Sequence, residues 1–174
     1  QAEAAFGTVD VLVNIAGIIV AYYRLDDMKE EDWDLTFDVN VKGLMQMCRE
    51  FVKRLKAKGL PGNIVNVSSN GAKVCFDNMA DYNASKAAVI GLTRALAKEM
   101  GPSGIRVNCI APGVIDTDMN ARLSTDDMAA LAGETPLCRI GTPEEAAEAI
   151  FYLASDKARF ITGAVLNVNG GIVI

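Results

Sequence analysis

Histidine is absent from all 174 residues. That excludes Ser-His-Asp triads, Cys-His pairs and His-ligated metals, and leaves acid-base work to Tyr, Lys, Asp, Glu or Cys. Cysteine is sparse and scattered. Cys48, Cys75, Cys109 and Cys138 form no C-x-x-C pair, so neither a zinc ribbon nor a redox dithiol is indicated, no metal site is expected, and a reducing, cytoplasmic setting fits. Cationic excess is missing too: 17 Lys and Arg stand against 22 Asp and Glu, a net charge of -5, so nucleic acid is a poor partner. No apolar run reaches the ~18 residues of a membrane span, and no signal peptide is visible. What is present is a chain long enough for one domain with a real core, 51% of it hydrophobic.

Taken in order, residues 1–6 read as the end of a helix stopped at Gly7. Val9 to Val13 follow as an almost continuous apolar strand of the kind buried on both faces in a parallel sheet, with neighbours on each side. With no initiator Met, this start has the look of the C-terminal part of a longer protein. Asn14-Ile15-Ala16-Gly17 then forms a small, polar turn where a backbone can approach a ligand. Asp26 or Asp27 caps a short turn, and a helical pattern runs from about Glu30 to Lys58 with Leu44, Met47, Phe51 and Leu55 as its apolar stripe. Inside it, Asn40 and Gly43 are poor helix formers that suggest a local break or a close contact.

Further strands are expected at Asn63 to Val67, Ile105 to Ile110 and Ala164 to Val168. A helix is expected from about Asp81 to Met100, weaker helical patterns to Leu131, and a strongly capped helix from Thr142-Pro143-Glu144-Glu145 to about Ala154. On the helix from Asp81, Val89, Leu92, Leu96 and Met100 form a bulky core face. Ala84, Ala88, Gly91 and Ala95 form a small ridge suited to internal packing or to a subunit interface. Strands alternating with helices imply βαβ units and a parallel sheet covered on both faces. Ligands of such sheets sit outside the carboxyl ends of the strands, which here carry Asn14 to Gly17, Ser68-Ser69 and Ala111-Pro112-Gly113. Tyr82 and Lys86 lie one helical turn apart beside that edge. An ammonium close to a phenol would pull the Tyr pKa down from about 10 and make a usable proton donor and acceptor.

These residues also carry a family pattern. Asn-x-Ala-Gly at Asn14 to Gly17, Asp38-Val39-Asn40-Val41-Lys42-Gly43, Val67-Ser68-Ser69, Tyr82-Asn83-Ala84-Ser85-Lys86, Asn108 to Gly113 and Asn167 to Gly171 occur in an order and spacing that resembles the classical short-chain dehydrogenases/reductases along essentially the whole chain. The resemblance implies a doubly wound Rossmann-type α/β parallel sheet and a role for each matching residue. Tyr82 would be the general acid/base. Lys86 would lower its pKa and hold the nicotinamide ribose, and Ser69, thirteen residues before Tyr82, would hydrogen-bond the substrate oxygen. Asn40 would kink its helix and hold a proton-relaying water. Asn14, Ala16 and Gly17 would lie along the adenosine side of an NADP or NAD cofactor, with Pro112, Gly113, Ile115 and Thr117 around the nicotinamide. Ile15 departs from the commoner Asn of this turn.

The family's Gly-rich phosphate loop, T-G-x-x-x-G-x-G, and the strand that selects NAD or NADP do not occur in the sequence. Residues 1–174 are therefore expected to form a single partial Rossmann-type domain, the catalytic C-terminal portion with N-terminal strands missing, that alone binds no dinucleotide with useful affinity. The ending and the segment Pro112 to Met119 look most like 3-oxoacyl-acyl-carrier-protein reductases. Expected partners are a small-molecule or acyl-thioester substrate and further copies of the chain in a homotetramer or homodimer. A sugar-alcohol or hydroxysteroid dehydrogenase is the nearest alternative, and a non-catalytic Rossmann-type interaction module the alternative of another class.

Overall fold

The computed structural model describes residues 2–121 and 123–174. A short helix α1 (Ala2–Phe6) ends where Gly7 takes φ of 82°, a left-handed conformation that glycine adopts without a Cβ clash; Gln1 lies outside the described residues. Strand β1 (Val11–Asn14) follows, then helix α2 (Glu30–Phe37), a π-helical stretch (Asp38–Gly43) and helix α3 (Leu44–Lys58). The single helix expected over this span is thus interrupted at Asn40 and Gly43, the two residues least suited to it. Asp26 and Asp27 sit inside a 3-10 turn and offer no side-chain cap.

Strand β2 (Gly62–Val67) leads through a four-residue helix α4 (Gly71–Val74), in a stretch read from sequence as loop, into the long helix α5 (Ala80–Met100). Strand β3 (Ile105–Pro112), helices α6 (Thr125–Glu134) and α7 (Pro143–Ala154), and strand β4 (Val165–Val168) complete the order. Thr142 caps α7 as expected: its hydroxyl accepts from the Glu145 amide at 3.3 Å while the Glu145 carboxylate accepts from the Thr142 amide at 2.9 Å. Ser124 and Asp127 form the same box at α6.

All four strands are parallel in the order β1-β2-β3-β4. On one face, Leu44, Cys48, Phe51 and Leu55 of α3 and Val89 and Ala97 of α5 pack against Ile64, Ile105, Val107 and Cys109. On the other, Leu153 of α7 and Ala158 pack against Val65 and Ile110. The sheet is therefore covered on both sides, as parallel sheets require. One expectation needs correction. Met47 is exposed and Cys48 takes its place in the apolar stripe, because a helix from Leu44 brings residues 48, 51 and 55 onto one face. β1 pairs with β2 alone among the described strands and Val11 is exposed, the bare apolar edge expected of residues 1–174 taken alone.

Candidate active site

Because the strands are parallel, their carboxyl ends share one edge. The turn after β1 reaches furthest across it. A Cβ on Gly17 would stand 2.9 Å from Lys86 Nζ and 3.4 Å from Asn40 Oδ1, so only glycine lets the backbone come this close. Ala16 is exposed beside it. Asn14 turns inward instead: its amide is buried and donates to Asn66 Oδ1 at 2.9 Å and to Cys48 Sγ at 3.3 Å, so its side chain serves the strands. The carbonyl of Pro112 accepts from the Asn70 amide at 2.9 Å, tying the turn that bears Ser69 to the tip of β3. Gly113 passes Asn169 so closely that a Cβ would lie 2.9 Å from its Cα. Ile115 bridges to Gly141, and Thr117 stands on the exposed lip with its hydroxyl against the Ile115 carbonyl.

Tyr82 and Lys86 occupy the first turns of α5, 7% and 3% exposed. Lys86 Nζ lies 5.7 Å from the centroid of the Tyr82 ring and donates to the Val67 carbonyl at 3.1 Å. Burial pushes the Lys86 ammonium down to about 8, with the nearby Cys109 sulfur opposing the fall. Tyr82 moves the other way. Burial raises its phenol above the ordinary range, the Ser69 hydroxyl pulls it back, and Tyr22 adds to the rise. The expected depression by Lys86 is absent because the ammonium sits over the ring and is bonded to a carbonyl, while the loss of water around the phenol dominates. Ser69 is half-buried and accepts from the Gly71 amide at 3.1 Å; the neighbouring Ser68 is fully engaged, donating to the Lys86 carbonyl at 2.7 Å.

Asn40 explains the π-helical stretch. Its buried amide accepts from Ile18 N–H at 2.8 Å and donates to the Ile18 carbonyl at 3.0 Å and to Ser85 Oγ at 3.0 Å. Ser85 in turn donates to the Tyr82 carbonyl at 2.8 Å. One side chain thus pins the turn after β1 to α5, and π-helical backbone is commonly kept where a side chain must be re-aimed this way. Sequence reading missed the framework beneath. Asn66 joins Asn14 to Thr93, whose hydroxyl bonds the Val89 carbonyl, and Thr36 donates to Asp81 at 2.6 Å. The available signal was asparagine at 63, 66 and 108 within otherwise apolar strands, since a buried amide must find partners.

A doubly covered parallel sheet whose carboxyl edge presents a buried Tyr-x-x-x-Lys pair is the arrangement of a dehydrogenase/reductase, and the chain belongs to the short-chain dehydrogenase/reductase family. A family model described as enoyl-(acyl carrier protein) reductase matches residues 1–173. The chain is 43% identical over 169 residues to a 3-oxoacyl-[acyl-carrier-protein] reductase of Chlamydia muridarum, an alignment covering 97% of this chain and 67% of the relative. It is 42% identical over 172 residues to 3beta-hydroxysteroid dehydrogenase 1 of Eggerthella lenta, covering 98% and 66%. Among solved structures, 4-hydroxyisoleucine dehydrogenase complexed with NADH superposes with a TM-score of 0.89 at 34% identity, over 99% of this chain and 73% of that one. ElxO with NADP bound gives 0.90 at 32% identity, over 98% and 69%. The chain thus spans about two thirds of the length of these curated relatives.

Proposed function

We propose that residues 1–174 form one partial Rossmann-type domain that carries the proton-transfer apparatus of an NAD(P)(H)-dependent oxidoreductase, interconverting a secondary alcohol and a ketone, with a 3-oxoacyl thioester as substrate. The observation that carries this reading is the convergence at the carboxyl edge of the sheet of the Gly17 backbone and Asn40 on the Lys86 ammonium, which stands 5.7 Å from the centroid of the Tyr82 ring. The residues present fit the nicotinamide end of a dinucleotide. Gly17, expected on the adenosine side with Asn14 and Ala16, leaves its main chain bare beside the Lys86 ammonium, which would hold the nicotinamide ribose, and Pro112 to Ile115 continue the same edge. Lys86, Gly17, Pro112, Gly113, Ile115 and Thr117 would hold the group, which supplies the hydride when bound.

The chain's own residues supply the proton. With its pKa raised, Tyr82 is a neutral phenol at pH 7, the form that donates to the oxygen of a ketone under reduction. Lys86, an ammonium below about pH 8, stands 5.7 Å from the centroid of that ring. Ser69, whose hydroxyl bonds the Tyr82 phenol, would donate to the same substrate oxygen. Asn40 holds the turn after β1 at the ammonium through Ile18 and Ser85; its side-chain amide is engaged there, so a proton-relaying water on Asn40 would rest on its main-chain carbonyl.

The thioester reading is supported by the 3-oxoacyl reductase relatives, Escherichia coli's among them at 40% identity. The hydroxysteroid alternative rests on the Eggerthella relative. The outward ridge, with Gly91 and Ala95 exposed and open space at the Gly91 Cβ position, supports a homo-oligomer, as a tetramer or a dimer. Among the described residues no helix is long and apolar enough to cross a membrane, and we place the protein in the cytoplasm. The test is steady-state oxidation of NADPH or NADH by the full-length chain with a 3-oxoacyl thioester, a steroid ketone and a ketose. Preference for the thioester in kcat/KM is expected, and equal or better turnover of the others would reject it.

A further inference from the structure

The segment between Ser69 and Tyr82 is held at its outer end by a residue given no role so far. Asn83 follows Tyr82 directly, is 5% exposed, and donates from Nδ2 to the Phe76 carbonyl at 2.7 Å. Its Oδ1 is buried with no hydrogen-bond partner among the described residues and faces Gly71, where a Cβ would lie 2.7 Å from it. That same Cβ position is 3.4 Å from Phe76 Cδ2 and 3.4 Å from Tyr82 Cε1, the ring carbon beside the one that bears the hydroxyl. Gly71 is thus the point where Asn83, Phe76 and Tyr82 converge. The rest of the segment leans outward: Val74 is 50% and Phe76 38% exposed, and Cys75 and Asn78 hold positive φ. Beyond the tie, the Asn78 carbonyl accepts from the Tyr23 amide at 2.9 Å.

We propose that Asn83 is a positioning residue that clamps Phe76 and its neighbours against the Tyr82 ring, fixing an apolar wall that selects ketones by the bulk they carry beyond the carbonyl. The substrate half of this statement rests on the ketone-reductase reading; the clamp itself does not. Phe76, part exposed, stands beside the Tyr82 ring across Gly71, and a wall tethered there in advance would bind the apolar arm of a substrate approaching that ring without first being ordered. The unpartnered Oδ1 is tolerated because Gly71 presents no side chain, so the amide is held in the orientation that donates to Phe76.

The test uses the full-length chain with Asn83→Ala and Asn83→Asp, both of which lose the donor, the second keeping the shape. Hydrogen exchange is read at the Val74 amide, bonded to the Asn70 carbonyl, and at the Tyr23 amide, with the β2 amides as reference. About tenfold faster exchange at Val74 and Tyr23, with β2 unchanged, is expected. In the same variants, KM for a long-chain 3-oxoacyl thioester should rise about fivefold to tenfold, with kcat within about twofold and KM for a short-chain ketone little changed. Unchanged exchange at both amides would overturn the clamp, and so would equal acceleration in β2. Faster loop exchange with kinetic effects that are the same for long and short substrates would overturn the selective wall. A wild-type chain that reduces no ketone at all would instead fail the function reading, leaving the exchange result to judge the clamp.

Discussion

Replacing Asn40 by alanine removes three hydrogen bonds at once: one from Ile18 N–H, one to the Ile18 carbonyl and one to Ser85 Oγ. At about 1 kcal/mol net for each, the loss is about 3 kcal/mol. Alanine returns about 0.6 kcal/mol through its better helix propensity, and the half-buried Ile18 regains some water, leaving about 2 kcal/mol. For a chain of this size class that lowers Tm by about 4 to 8 °C. Ser85→Ala provides the calibration, since it breaks the bond from Asn40 and the bond to the Tyr82 carbonyl while leaving Ile18 held. Two bonds at about 1 kcal/mol each, less about 0.5 kcal/mol of regained helix propensity, leave about 1.5 kcal/mol, so it should lower Tm by about three quarters as much. Calorimetry or circular-dichroism melting of the full-length proteins reads both, and exchange at the Ile18 amide reports whether the turn after β1 has been released. An Asn40→Ala protein that melts within about 1 °C of wild type, with Ile18 still protected, would refute the claim that this side chain pins the turn to α5.

Two further outcomes follow from the same edge. Gly17→Ala drives a Cβ to 2.9 Å from Lys86 Nζ and 3.4 Å from Asn40 Oδ1, so the ammonium must leave its 3.1 Å bond to Val67. Ketone reduction should fall about tenfold to a hundredfold in kcat/KM, and wild-type turnover would contradict the close approach. Lys86 gives a pH signature. Its folded pKa of about 8 lies below the ordinary 10.5, so between those values the unfolded chain binds the proton and the folded chain does not, and stability from this group rises with pH. Below pH 8 both forms are charged and the burial penalty is present in full. Lys86→Met should therefore be more stable relative to wild type at pH 7 than at pH 10 by about 2 kcal/mol in urea unfolding. The Cys48 thiol, pushed up to about 11 by burial, titrates in the opposite sense but is shared by both proteins and cancels in the difference; Cys109, pushed up to about 11 as well, feels the Lys86 charge, so both proteins are compared in a Cys109→Ala background. An equal difference at both pH values would show that Lys86 is not buried as described.

The layout of the site was legible in sequence because its parts are local. Tyr82 and Lys86 meet through helical spacing, Thr142 and Glu145 cap through a three-residue offset, and Asn40 and Gly43 announce a break by their poor propensity. What stayed hidden depends on long-range packing. Nothing in the segment from Asn70 to Met79 foretells that Asn83 will seize the Phe76 carbonyl, or that Asn70 will be fixed by Pro112 and Asn169. The choice of Cys48 over Met47 needed the helix phase, which the π-helical residues before Leu44 shift. The direction of the Tyr82 pKa needed burial: the Lys86 ammonium is close to the ring, as the spacing implied, yet the rise is set by desolvation of the phenol, with the Ser69 hydroxyl opposing it.

The central claim is that the Tyr82 hydroxyl delivers the proton to the ketone oxygen. Tyr82→Phe keeps the ring that packs at Gly71 and removes that hydroxyl alone. Steady-state reduction of a 3-oxoacyl thioester by the full-length variant, with fluorescence titration of NADPH alongside, should show kcat lowered about 10²- to 10⁴-fold while nicotinamide-dinucleotide binding and Tm stay near wild type. A variant that turns over within about twofold of wild type would contradict the account.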